Sequence, residues 1–93
     1  MSLFGLPSFL WDSTQVASYE AALEAGHAVV GAYSARIADE RKKADPDLLK
    51  IQQWRAGCLA VIAERDALNP SDPEAIRAAR VRFSELAVQV REG

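Results

Sequence analysis

The placement of proline decides what this chain can build. Its 93 residues contain four prolines, at positions 7, 46, 70 and 73. A proline inside a helix removes a ladder hydrogen bond and clashes with the preceding turn, so regular structure must fit between these points. They leave three long segments, bounded by Gly5 and Pro7, by Asp45-Pro46 and by Asn69-Pro70-Ser71-Asp72-Pro73. Inside each, apolar residues recur at steps of three and four, and nowhere do they alternate as a half-buried strand requires. The expected fold is all-α: a three-helix antiparallel up-down-up bundle with a long first helix and an apolar N-terminal arm. The predicted boundaries are 1–11 for the arm and 12–44, 45–69 and 72–91 for the helices, in one domain. Met1-Ser2-Leu3 and Glu92-Gly93 resemble the flanks that cloning leaves and are given no weight.

Local signals support each start. Asp12 has Gln15 three residues on, as in a capping box, with Trp11 and Val16 at the two positions of a hydrophobic staple. Asp45 and Asp72 each precede a proline, which is harmless at the first helical position. In the first helix Val16, Tyr19, Leu23, Val30, Tyr33 and Ile37 form a seam in which Gly26 fills the missing step. Opposite runs a small-residue line, Ala21, Ala25, Ala28, Ala32 and Ala35, read as a wet face of high helix propensity, with the close approach of another helix as the alternative. The second helix carries Leu48, Ile51, Trp54, Cys58, Leu59, Val61, Ile62 and Leu68, and the third Ile76, Ala79, Phe83, Leu86 and Val90.

A tight turn at Asp45 sets Ile37 against Trp54, Tyr33 against Cys58, Val30 against Val61, Gly26 against Arg65 and Leu23 against Leu68. The second turn sets Ile62 against Ala79, Leu59 against Phe83 and Ile51 against Val90. With these lengths the first helix, about 46 Å long, overshoots the second, about 33 Å, by between two and three turns. The overhang bears Val16 and Tyr19, and the arm before it holds Phe4, Leu6, Phe9, Leu10 and Trp11. Side chains of this kind lose about 1.5–3 kcal/mol each when left in water. An interface is therefore expected there, with a second copy of the chain or another protein as partner; the arm folding back on its own bundle is the alternative.

Chemistry is sparse. The single cysteine, Cys58, forbids an intrachain disulfide and a Cys-rich zinc cluster, which fits a reducing cytoplasm. It reads as a small core hydrophobe, and the sole histidine, His27, as a residue beside the seam about two turns from Cys58. No phosphate loop, metalloprotease motif or nucleophile elbow occurs, so no enzyme, no cofactor and no metal is expected. The apolar stretch from Leu3 to Trp11 is shorter than the roughly 20 residues a bilayer span needs. Asp39, Glu40, Arg41, Lys42 and Lys43 read as a solvated helix end. Arg55 is expected to reach Glu40 or Glu85, and Arg65 to cross Gly26 toward Glu20 or Glu24. Arg77, Arg80 and Arg91 share one side of the third helix and raise a second function class, a small nucleic-acid-associated regulator or antitoxin-type protein. A net charge of -2, with Glu74 and Glu85 among these arginines, weakens it.

Overall fold

The computed structural model describes the backbone of residues 2–93 and the side chains of residues 14–93. It contains three helices, α1 (Ser2–Arg41), α2 (Leu48–Asp66) and α3 (Pro73–Glu92), and no strand among the described residues. The all-α three-helix bundle is thus what the chain forms. Helices α2 and α3 both pack on α1, while no Cα atom of α2 comes within 8 Å of one in α3. Helix α1 is therefore a spine, and the three-way closure expected from the sequence is made by side chains only.

The boundaries differ from the sequence reading in instructive ways. Helix α1 does not begin at Asp12; it starts at Ser2 and runs through Gly5 and Pro7. A proline this close to a helix start forfeits a single ladder bond, so it does not stop the helix. The arm is a helical extension, and Asp12 lies inside the helix rather than capping it. Helix α1 ends at Arg41, where Lys42 N–H donates to the Asp39 carbonyl and Lys43 N–H to that of Glu40. The N-cap of α2 is Asp47, not Asp45: its carboxylate accepts from the N–H groups of Leu49 and Lys50, both at 3.1 Å. Pro46 precedes that cap, so it stays outside the helix. At α3 the expectation holds, with Asp72 accepting from Ala75 N–H at 3.1 Å and Pro73 in the first turn.

The core is small. Buried side chains are Ala22, Val29 and Ala32 from α1, Ile51 and Val61 from α2, and Ile76, Ala79, Phe83 and Ala87 from α3. On α1 the predicted seam is a half-buried rim (Tyr19, Leu23, Val30, Tyr33, Ile37), with Val16 exposed at one end. The fully buried line sits one position earlier, at Ala22 and Val29. The reason is that α1 serves two neighbours: the rim at Gly26 and Tyr33 meets α2, and the smaller residues meet α3. Accordingly the small-residue line is only partly wet. Ala25 packs against the core and Ala32 is buried, whereas Ala28 and Ala35 are exposed.

The α1–α2 register follows the sequence reading. A Cβ placed on Gly26 would lie 3.3 Å from Cδ of Arg65, and one placed on Gly57 would lie 2.6 Å from Cζ of Tyr33. Gly57 thus lets the Tyr33 ring rest on the α2 backbone. The α2–α3 register is displaced by about one turn. Phe83 shares the core with Val61, Arg82 pairs with Glu64, and Leu59, expected on Phe83, is 66% exposed. Leu48 is exposed too. The cause is the second connection: α2 ends at Asp66, three residues before Asn69, so the link lengthens and α3 enters at a different level.

Candidate functional site

Helix α3 starts beside the N-terminal half of α1, with Pro73, Ile76, Arg77 and Arg80 meeting Thr14, Gln15 and Ser18 around a cleft of about 280 Å³. Ile76 is buried and forms its floor. Asp72 holds the first turn of α3 in place through its cap, which fixes where both arginines leave the helix. From Thr14 back to Ser2, α1 adds about 18 Å at 1.5 Å per residue. Of the residues predicted to make an interface, Val16 is 52% exposed, and Tyr19 is half-buried and lines a separate depression with Arg65 and Asp66. Phe4, Leu6, Phe9, Leu10 and Trp11 lie on the helical extension; their side chains fall outside the described residues.

The arginines divide into engaged and unengaged groups. Arg36 Nε donates to the Val90 carbonyl at 2.8 Å and its terminal nitrogen to that of Arg91 at 3.1 Å, so it caps the last turn of α3 with a cation. Arg65 crosses Gly26 as expected, but its ionic partner is Asp66 at 3.9 Å, not Glu20 or Glu24. Arg82 pairs with Glu64 and also lies over the Phe83 ring, 5.2 Å from its centroid. Arg55 is exposed and meets neither Glu40 nor Glu85. Arg77, Arg80 and Arg91 are exposed and have no ionic partner within 4.0 Å among the described residues. Arg77 and Arg80 share the cleft, but Arg91 lies eleven residues beyond Arg80, about 16 Å along the axis, beside Asp39. The three do not form one basic patch.

Glu40 is the group that sequence reasoning missed. It is buried to 5% exposure, accepts the Asp47 N–H at Oε2 (2.9 Å) and meets the Lys43 ammonium at Oε1 (2.9 Å). One carboxylate therefore closes the α1–α2 turn by satisfying the donor of the residue that caps α2. The Asp47 N–H first, then the Lys43 ammonium, hold its pKa below the ordinary 4.5, against an opposing effect of burial. A pKa depressed in the folded state stabilises the fold above the unfolded value, and that contribution is lost as pH falls through the folded value. Replacing Glu40 by Gln should therefore lower the urea midpoint at neutral pH. The gap to wild type should close in acid, below the ordinary 4.5. A gap that persists there would remove charge as its cause.

His27 is exposed, and no cluster of three His, Cys, Asp or Glu side chains fit to hold a metal occurs among the described residues. Cys58 is a half-buried free thiol. No described helix is long and apolar enough to cross a membrane. Comparison with protein families, with curated proteins and with solved structures gave no match to this chain.

Proposed function

We propose that this chain is a non-catalytic interaction or assembly module, working in the cytoplasm, that self-associates as a homodimer through the N-terminal part of α1. The observation that carries this reading is the extension of α1 beyond the level at which α3 begins. A helix of 40 residues is flanked by helices of 19 and 20, so the two shorter rods shelter only part of the long one. The extension is rich in large apolar residues, Phe4, Leu6, Phe9, Leu10 and Trp11, and continues into exposed Val16. Apolar surface of this extent on a small domain favours association, because burial gains about 25 cal/mol per Å². A two-fold pairing of α1 with its copy is the simplest closed arrangement.

Sedimentation of the wild-type chain should give a concentration-dependent dimer at micromolar concentration. Combined Phe9→Ala and Trp11→Ala should shift the chain to monomer while circular dichroism retains the helical signal. A strict monomer for the wild-type chain would end this reading. So would a collapse of helicity in the double variant, because the extension would then belong to the monomer core. The rival class, a nucleic-acid-associated regulator using Arg77, Arg80 and Arg91, requires retention of duplex or single-stranded nucleic acid that weakens steeply with salt. Absence of retention at low salt removes it.

A further inference from the structure

Resting on the self-association reading, we propose that the cleft between α1 and α3 receives Asp12 of a second copy, with Arg77 and Arg80 as its counter-charges. The cleft is built for one anion attached to an apolar support. Its lining includes buried Ile76 with Pro73 beside it, and its two cations have no ionic partner within 4.0 Å among the described residues, while Arg36, Arg65 and Arg82 on the same bundle are all engaged.

The extension supplies the complement. Asp12 is the only charged side chain from Met1 to Tyr19. Any interface made from this stretch removes that carboxylate from water, which is costly unless a cation meets it. The same two-fold operator accounts for the apolar contacts. If Asp12 of one copy lies level with Gln15 to Ser18 of the other, the two α1 helices cross antiparallel near Thr14. Each extension then runs beside the stretch of its partner from Val16 to Leu23, where Val16 is exposed and Tyr19 and Leu23 are half-buried. One geometry thus neutralises the lone carboxylate, gives Arg77 and Arg80 a counter-charge and lays the extension along exposed Val16. A polyanion fits the cleft less well, because Asp72 and Glu74 line the neighbouring surface that Arg77 shares.

Charge reversal on each side tests the pairing. Asp12→Arg alone, and Arg77→Glu with Arg80→Glu, should each weaken self-association by about tenfold or more, as close interfacial charge pairs do. An equimolar mixture of the two variants should recover wild-type dimer, because both clefts of the mixed dimer are then complementary. Circular dichroism of each variant checks that it remains helical. If the wild-type chain is dimeric and the variants sediment like it, the cleft pairing falls while self-association stands; a monomeric wild type ends both. Failure of the mixture to recover dimer, with thermal stability restored only when all three substitutions share one chain, would place Asp12 on its own arginines and overturn the proposal. Loss of salt-sensitive DNA retention in Arg77→Glu with Arg80→Glu, without a change in sedimentation, would overturn it in favour of a polyanion site.

Discussion

Phe83→Ala should lower the free energy of unfolding by about 3–5 kcal/mol, the range for removing a wholly buried aromatic ring. Phe83 is 0% exposed and, among the described residues, is the largest fully buried side chain, ahead of Val29 and Val61. It is also the point at which the three helices meet. Its ring abuts Gly26 of α1, shares the core with Val61 of α2, and lies between Ala79 and Ala87 on its own helix. Among the described residues four of the nine buried apolar side chains are alanines, including Ala79 and Ala87 beside the ring, so little neighbouring bulk can collapse into the space. A small domain holds roughly 5–15 kcal/mol in all. The variant should therefore melt far below wild type or be unfolded at room temperature. Urea denaturation followed by circular dichroism measures it. Phe83→Leu, which keeps most of the apolar volume, should lose much less. Equal losses for both variants would show that ring shape, not buried volume, sets the effect.

What the sequence made legible depended on whether a residue's role was local. Proline placement and the 3,4 pattern were enough for three helices, and Asp72-Pro73 for the start of the third, because capping is decided within one turn. The α1–α2 register was legible as well, since a short connection couples the levels of the two helices, and Gly26 does meet Arg65. The face that α1 buries most deeply was not. A reading by size favours Val30 and Tyr33, yet the deepest positions include Ala22 and Ala32, small residues beside a helix that approaches closely. Helix α2 posed the same problem in another form. Between Ile51 and Ala63 its only charged residue is Arg55, so periodicity alone does not distinguish the inward side, and of Leu59 and Val61, both placed inward, only Val61 is buried.

The candidate site was legible to a similar degree. The apolar extension and the arginines of α3 stand out in the sequence, but the cleft that joins Arg77 and Arg80 to Gln15 and Ser18 depends on the level at which α3 enters, and that level is set by the length of the second connection. Glu40 and Arg36 were illegible for the same physical reason. Each acts on backbone groups of another segment: Glu40 on the Asp47 N–H, Arg36 on the last carbonyls of α3. Such bonds leave no spacing signature, because the acceptor or donor is main chain and every residue type offers it. Glu40 ties the start of α2 to the end of α1 and Arg36 ties the end of α3 to α1, both near the same end of the bundle.

Gly26→Leu should destabilise the chain by about 2–3 kcal/mol, toward the upper part of the overpacking range. Helix propensity predicts the opposite sign. Leucine is among the best helix formers, and replacing a mid-helix glycine gains up to about 1 kcal/mol on that account. Packing must therefore exceed this gain for the net effect to be a loss. Gly26 is buried, and even a single methyl there would lie 3.3 Å from Cδ of Arg65 and 3.3 Å from two ring carbons of Phe83. The Arg65 stem can move aside, because it is partly solvated and its partner Asp66 is exposed. The Phe83 ring cannot, because it is enclosed by Val29, Val61, Ala79 and Ala87. Gly26→Ala separates the two contributions: propensity and slight crowding should nearly cancel, leaving stability close to wild type. The leucine side chain, with three more carbons, has to push α3 away from α1 or leave the core. Thermal and urea unfolding of both variants, with Phe83→Leu combined with Gly26→Leu as the relief experiment, decides the matter. If the smaller residue at position 83 restores no stability to the Gly26→Leu chain, the steric conflict with that ring is not the cause of the loss.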